Sequence, residues 1–155
     1  KKLNKLFKKT NGEVVNVLEH TLNILREYPS IRVHIGTDSQ NYQTTTVYVT
    51  AIAYRYRQRG VHYIIYKQKV PKIKAMWDRL FKEAEMSIET AQWLTSNMNI
   101  NIEIDMDYNS DKSYQSSKLI SATKGWGNSL GYKVNVKPEI QIATRAADFW
   151  CKGGY

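Results

Sequence analysis

The chain has 155 residues, and 42% of them are hydrophobic, which is enough to bury a core and excludes a disordered protein. The net charge of +9 at pH 7 favours an anionic partner, with nucleic acid ahead of a membrane surface. The single cysteine, Cys151, excludes an internal disulfide and is expected to be a small buried hydrophobe. No apolar run approaches the roughly 20 residues of a membrane span and no leader is visible, so we expect a cytoplasmic protein without membrane contact.

The first half of the chain predicts one helix followed by three strands. Apolar residues that recur every three or four positions predict an amphipathic helix over residues 13–27. Alternating apolar residues predict a first strand over residues 31–36, which ends at Gly36. Residues 44–57 and 61–70 are rich in β-branched and aromatic side chains, and this composition predicts a β-hairpin.

The second half of the chain alternates helices with strands. The predicted elements are a helix over residues 73–95, a strand over 100–108, a helix that ends at 130, a strand over 133–136 and a helix over 140–151. Ser110 or Asp111 can cap the middle helix. The core-facing stripe of the long helix is predicted to comprise Trp77, Leu80, Phe81, Ala84, Ile88 and Ala91.

This order predicts an α/β fold with a mixed five-stranded sheet. The three leading strands have tight connections and should form an antiparallel meander, whereas each later strand follows a helix and should add in parallel by a right-handed crossover. Helices would then cover both faces. We expect one domain over residues 1–155, with residues 1–29 as an N-terminal helical extension and 30–152 as the core. Strand ends of such a sheet are the usual place for a functional site.

Acidic residues stand near the predicted ends of two central strands. Asp38 follows Gly36, where a carboxylate is poorly placed for stability and well placed to hold a cation. Asp107 ends a later strand, and the ends of two parallel strands lie side by side. Asp105 has the same side-chain parity but lies one pleat earlier. We therefore favour Asp107 as the site residue and keep Asp105 as the alternative ligand or as a supporting residue.

Two helices can supply further carboxylates. Glu85 and Glu89 share one face of the long helix, and Glu85 is favoured because it borders the apolar stripe. Asp148 lies on the flank of the last helix, beside alanines that allow close packing on the sheet. Mg²⁺ and Mn²⁺ prefer oxygen ligands, and two ions about 3.5–4 Å apart can activate water and stabilise the leaving oxygen of a phosphodiester. A site for two such ions is therefore predicted at Asp38, Glu85, Asp107 and Asp148.

A basic row accompanies these acids in the sequence. Arg55, Arg57 and Arg59 alternate along the end of the hairpin strand and are predicted to share one face, with Tyr54 and Tyr56 on the other. Such a row can bind a phosphate backbone, and Lys72 continues the basic trend. The alternative is a hairpin tip whose charges only keep the protein soluble.

Several segments together carry a resemblance to a known family. They are Ile35-Gly36-Thr37-Asp38-Ser39-Gln40, Val49-Thr50-Ala51-Ile52, residues 85–91, Ile104-Asp105-Met106-Asp107 and Ala143-Thr144-Arg145-Ala146-Ala147-Asp148. With these segments the chain resembles the YkuK-type family of ribonuclease H-like proteins, which are predicted nucleases. The resemblance implies a ribonuclease H fold and a carboxylate quartet that holds divalent metal.

The acids, the charge and the resemblance lead to one functional hypothesis. We expect a metal-dependent nuclease that hydrolyses phosphodiester bonds of RNA, DNA or a hybrid, with Lys and Arg holding the backbone. The alternative is a catalytically silent nucleic-acid-binding or scaffold domain, because one fold hosts many functions.

Overall fold

The structure, a computed structural model, describes residues 3–108 and 114–153, and for residues 114–116 it describes the backbone alone. The elements are α1 (Val17–Glu27), β1 (Arg32–Asn41), β2 (Thr45–Tyr56), β3 (Gly60–Pro71), α2 (Met76–Asn97), β4 (Ile102–Met106), α3 (Tyr114–Ser129), β5 (Lys133–Val136) and α4 (Ala143–Cys151). This order is the predicted one. The proposed caps of α3, Ser110 and Asp111, lie outside the described residues.

The five strands form one mixed sheet in the order β3-β2-β1-β4-β5. Strand β1 pairs antiparallel with β2, and β2 pairs antiparallel with β3, so the first three strands are a meander. Strands β4 and β5 add in parallel beside β1. The predicted fold class is therefore confirmed.

Helices pack on both faces of the sheet. On one face Ile35 and Ile104 form a buried cluster with Ile88 of α2, and α1 and α3 contribute Val17 and Leu119 to the same cluster. On the other face Val47, Val49, Ala51 and Ala53 of β2 pack against a smaller cluster whose helical members are Ala143, Ala146, Ala147, Trp150 and Cys151. The short α4 alone thus covers the centre of the second face among the described elements.

Strand β1 is longer than predicted, and its two edges are paired unequally. Its pairing with β2 continues to Asn41, so Asp38 lies within the strand and not beyond its end. Its pairing with β4 stops at the pair Gly36 and Asp105, because β4 ends at Met106. Residues 37–41 therefore border an opening on the side of β4, and side chains from neighbouring elements can enter it.

Gly36 allows α4 to lie directly against β1. A β-carbon at this position would stand 2.8 Å from both the Cγ2 atom and the backbone nitrogen of Thr144. Contacts that short do not occur between real side chains, so any larger residue would push the start of α4 away from the sheet. The glycine in the Gly-Thr-Asp segment is thus explained by the close approach of a helix.

The long helix α2 differs from the prediction at its start. It begins at Met76, and Trp77 and Phe81 are 40% and 37% exposed instead of belonging to the core. The buried residues of α2 begin only at Glu83, although Leu80 is partly buried and packs against the core as predicted. The predicted stripe is correct for Ala84, Ile88 and Ala91, which are buried.

Two other helices start later than their periodicity suggests. Helix α1 begins at Val17 because the side chain of Asn16 accepts a hydrogen bond from the backbone N–H of Glu19 and caps the helix. Helix α4 begins at Ala143, where the carboxylate of Asp105 accepts the first free backbone N–H groups. In both places a polar side chain, and not the apolar pattern, sets the boundary.

Candidate active site

Four carboxylates from four segments line one cavity beside the open edge of β1. Asp38 comes from β1, Glu83 from α2, Asp107 from the residue after β4 and Asp148 from α4. The cavity has a volume of about 380 Å³. Its remaining lining residues are Ser39, Gln40, Met76, Arg79, Leu80, Lys137 and Lys152. The fold therefore gathers acids that are far apart in sequence and surrounds them with three cationic side chains.

Asp38 and Asp148 form a hydrogen-bonded pair of carboxyl groups. Burial, together with the hydrogen bond to Asp148, raises the pKa of Asp38 to about 7. Burial alone would raise the pKa of Asp148 too, but its hydrogen bonds with Lys152 and Asp38 outweigh burial and lower that pKa. Asp38 is therefore the acid of the pair that keeps its proton to the higher pH, and its hydroxyl then donates a hydrogen bond to the Asp148 carboxylate.

Glu83 is the most deeply buried acid of the cavity. Ser39 donates its hydroxyl hydrogen to Glu83 Oε2 over 2.5 Å, and the guanidinium of Arg79 donates to the same Ser39 oxygen over 3.0 Å. Burial and the nearby charge of Asp38 raise the pKa of Glu83 well above its usual value. Glu83 is thus held in place from β1, and it binds its proton more tightly than an ordinary glutamate does in the metal-free protein.

The two acids nearer to solvent each have a lysine partner. Lys137 Nζ lies 2.8 Å from Asp107 Oδ1, and Lys152 Nζ lies 2.9 Å from Asp148 Oδ1. The side chains of Asp107 and Asp148 are 22% and 40% exposed, so both pairs lie at the mouth of the cavity. The inner acids thus have raised pKa values, whereas ammonium groups neutralise the outer ones.

Asp105, the alternative to Asp107, faces a different environment. Its Oδ2 atom accepts hydrogen bonds of 2.9 Å from the backbone N–H groups of Ile142 and Ala143. Its Oδ1 atom lies 2.9 Å from Asn135 Nδ2 and 3.1 Å from His34 Nδ1. Asp105 is 1% exposed and does not line the cavity. It fixes the start of α4 on the sheet, and its partner His34 is fully buried.

Neither Glu85 nor Glu89 lies in the cavity. Glu89 is 59% exposed and lies 3.6 Å from Lys5 Nζ in the N-terminal segment. Glu85 also interacts with the charge of Lys5, so both residues face that segment. A residue two positions earlier in a helix points about 200° away, which is why Glu83 faces the cavity instead. The acid of α2 that lines the cavity is thus Glu83, and not the predicted Glu85 or Glu89.

A periodic signal for Glu83 was present in the sequence. Ser87, Thr90 and Leu94 follow it by four, seven and eleven positions, and all four side chains are buried. The column is polar, however, with Thr37 of β1 bonded to Ser87 over 2.8 Å, and a search for apolar stripes passes over it. Arg79, Lys137 and Lys152 carried no distinguishing pattern and were missed as well.

The donor set of the cavity fits a hard divalent cation. Carboxylate oxygens are the ligands that Mg²⁺ and Mn²⁺ prefer. The thiol of Cys151 lies within 4.8 Å of the oxygens of Asp38 and Asp148, but burial and the charge of Asp38 raise its pKa to about 12. A protonated thiol is a poor ligand. A divalent cation bound among these carboxylates could neutralise them in place of the ammonium groups and protons.

The predicted basic row does not border this cavity. Strand β2 ends at Tyr56, so Arg57 and Arg59 belong to the turn and do not share a strand face with Arg55. Arg55 pairs with Arg32 at the start of β1, the end of the sheet opposite to Asp38. Lys72 lies at the near end, because its backbone N–H bonds to Thr44 O beside the start of β2.

None of the helices in the described ranges combines the length and the apolar character of a membrane span.

The strand order and the mixed sheet are those of the ribonuclease H-like class of α/β proteins. The chain matches the family described as Ribonuclease H-like over residues 14–152, and it belongs to that family. The family membership expected from the Gly-Thr-Asp-Ser segment is thereby confirmed. Comparison with curated protein sequences gives no match.

Proposed function

We propose that the protein is a divalent-metal-dependent nuclease that hydrolyses phosphodiester bonds of RNA, DNA or a hybrid of the two. The observation that carries the proposal is the cavity in which Asp38, Glu83, Asp107 and Asp148 converge. Such convergence costs stability, because clustered carboxylates repel one another and lose hydration. A functional requirement for the cluster explains why it is present.

The four acids would hold two Mg²⁺ or Mn²⁺ ions, which supply a nucleophile at neutral pH and stabilise the leaving oxygen of an in-line displacement. Asp38 is central, because it contacts Asp148 and its charge acts on Glu83. Ser39 positions Glu83 by its short hydrogen bond, and Arg79 positions Ser39. The chain thus provides a preorganised set of oxygens whose supporting hydrogen bonds come from the same strand and helix.

The rim of the cavity suits an anionic polymer. Arg79, Lys137 and Lys152 line it and can contact phosphate oxygens without reading sequence. The net charge of +9 gives the whole surface an attraction for a polyanion. A phosphodiester backbone therefore fits both the local and the global charge.

Cleavage assays with paired variants test the proposal. Wild-type protein should cleave at least one of single-stranded RNA, single-stranded DNA, duplex DNA and hybrid with Mg²⁺ or Mn²⁺, and EDTA should stop the reaction. Asp38→Asn should lower the rate by roughly 100-fold or more, the scale expected when a group that stabilises transition-state charge is removed. Asp78→Asn is the matched control, because Asp78 is exposed in the first turn of α2.

A second pair of variants tests which helix acid acts. Glu83→Gln should lose activity to a similar degree as Asp38→Asn, whereas Glu85→Gln, two residues away on the opposite side of α2, should keep it. Equal activity of Glu83→Gln and wild type would reject the assignment of Glu83. If the wild-type protein binds oligonucleotides with a steep salt dependence and cleaves none with either metal, it is a silent binding or scaffold domain instead.

A further inference from the structure

We propose that Lys137 and Lys152 are exchangeable counter-ions of the carboxylate cavity. They neutralise Asp107 and Asp148 in the metal-free protein and hold the substrate phosphate when a divalent cation takes their place. This inference rests on the proposed function and assigns a second task to two residues of the same site. It predicts that metal and nucleic acid bind in a coupled way.

The distribution of the two lysines among the acids is selective. Lys137 pairs with Asp107 over 2.8 Å and Lys152 pairs with Asp148 over 2.9 Å, and both lysines line the cavity. The inner acid Glu83 instead accepts a hydrogen bond from Ser39. The ammonium groups therefore occupy the solvent side of the site, where an entering cation and a phosphate would also arrive.

Both pairs are suited to exchange. The lysine side chains are 45% and 58% exposed, and exposed pairs of this kind contribute little to stability. Lysine carries a compact charge on a flexible stem, so its ammonium group can leave a carboxylate without displacing the backbone. A divalent cation attracts a carboxylate more strongly than a single charge at the same distance does, and it repels the ammonium group.

A displaced ammonium group remains tethered at the cavity mouth. Lys152 directly follows α4, four residues after Asp148, and Lys137 directly follows β5 beside Asp107. The negative charge of a phosphodiester can replace the carboxylate with which each ammonium group was paired. Lysine binds phosphate well as a point charge. Metal binding thus converts two internal ion pairs into two contacts for substrate.

The exchange makes a prediction of opposite signs. Because each lysine competes with the cation, its removal should tighten metal binding. Because each lysine contacts phosphate once the metal is bound, its removal should weaken nucleic-acid binding. Removal of a lysine with no role in the site would change neither affinity. Removal of a lysine that only stabilises the fold would weaken both.

Calorimetric titration of the intact protein with Mn²⁺ alone measures the first effect. Lys137→Ala and Lys152→Ala should each lower the Mn²⁺ dissociation constant by up to about 5-fold, the equivalent of one exposed ion pair. Lys133→Ala is the control, because Lys133 is 60% exposed and its partner, Glu103, lies outside the cavity. It should leave the Mn²⁺ affinity unchanged.

Binding of a phosphorothioate single-stranded oligonucleotide in the presence of Mn²⁺ measures the second effect. Each lysine variant should bind it more weakly, and the slope of log K against log salt should fall by roughly 0.7 per lysine. Without Mn²⁺ the lysines remain paired, so the variants should then differ little from wild type. Lys133→Ala again serves as the control.

The outcomes separate this inference from the proposed function. If wild type binds Mn²⁺ but both lysine variants bind it equally or more weakly, the exchange is wrong and the nuclease proposal stands. If Asp38→Asn binds Mn²⁺ as well as wild type does, or if wild type binds none, the proposed metal site itself is wrong. Tighter Mn²⁺ binding together with weaker oligonucleotide binding supports the exchange.

Discussion

Glu83 and Asp38 reach the same cavity from opposite faces of the sheet. Asp38 points from β1 toward α4 and bonds to Asp148, whereas Glu83 comes from α2 on the other face and bonds to Ser39, the next residue of β1. Successive residues of a strand face opposite sides, so one dipeptide contacts both helices. The early end of β4 opens the space in which the acids meet.

The proton on Asp38 makes the stability of the metal-free protein depend on pH. Its pKa is about 7 in the native state against 3.8 ordinarily, so between these values the native state holds a proton that the unfolded state has released. Stability from this group is therefore fully present below pH 3.8 and is lost as the pH rises to about 7, with a slope of at most about 1.4 kcal/mol per pH unit.

Asp38→Asn cannot ionise at this position and should lack this pH dependence. Urea unfolding in EDTA should show that the variant gains stability relative to wild type as the pH rises from about 5 to 7.5. The reason is that only wild type has an Asp38 proton that its native state holds and its unfolded state releases. The comparison with wild type removes the contributions of other groups, such as His20 and His62, whose pKa values are lowered by burial. A stability difference that is constant over this range would contradict the raised pKa.

Gly36→Ala should destabilise the protein, because the new methyl group would overlap Thr144 at the start of α4. We expect a loss of about 1–3 kcal/mol in the free energy of unfolding, the usual cost of overpacking. Gly125→Ala is the matched control: it lies in α3 with nothing within 4 Å of the added carbon. That variant should gain up to about 1 kcal/mol from helix propensity. Urea unfolding midpoints measure both changes, and equal effects would contradict the close approach.

Asp105→Asn and Asp107→Asn should have different effects although the residues are only two positions apart in the chain. Asp105 accepts hydrogen bonds from Ile142, Ala143 and Asn135, so its change should cost about 1–3 kcal/mol of stability by leaving buried groups poorly paired. Asp107→Asn should keep the stability within about 0.5 kcal/mol, because it removes only an exposed pair with Lys137.

Denaturant unfolding and Mn²⁺ titration together distinguish the two residues. Asp107→Asn should weaken Mn²⁺ binding while its free energy of unfolding stays close to that of wild type. Stability loss in Asp107→Asn and none in Asp105→Asn would reverse the roles of the two residues.

The arginine row should contribute only to long substrates. Asp38 lies six positions after Arg32 along β1, and Arg32 pairs with Arg55, so the row is about 20 Å from the acids at the usual rise per residue. That span corresponds to roughly 6 base pairs of duplex. Arg57→Ala combined with Arg59→Ala should weaken the binding of duplexes of about 16 base pairs and leave the binding of hairpins with a stem of about 4 base pairs unaffected. Equal weakening of both lengths would show that the row acts only through overall charge.

The elements and several acids of the cavity could be predicted because they depend on local patterns. Periods of two and of three to four residues predicted the five strands and four helices, and their order predicted a mixed sheet. Asp38, Asp107 and Asp148 could be singled out because the ends of adjacent strands, and a helix that packs closely on them, must lie near one another. Cys151 is buried, as we expected for the single cysteine of the chain.

The helix acid required the tertiary structure, because a helix pattern leaves its rotation uncertain by a fraction of a turn. Trp77 and Phe81 misled the predicted stripe, because both are exposed in the first turns of α2 and the buried residues of the helix begin with Glu83. The capping role of Asp105 likewise depends on where α4 begins, far along the chain.

The sequence by itself determined which segments fold and which face of each strand is apolar, since neighbours along the chain control both. Only the tertiary structure decided which charges meet, including the pairs of Lys137 with Asp107 and of Lys152 with the acid next to Asp38. The physical reason is that Coulomb interactions and burial depend on distances between segments, and these distances are fixed only when the sheet and its helices have packed.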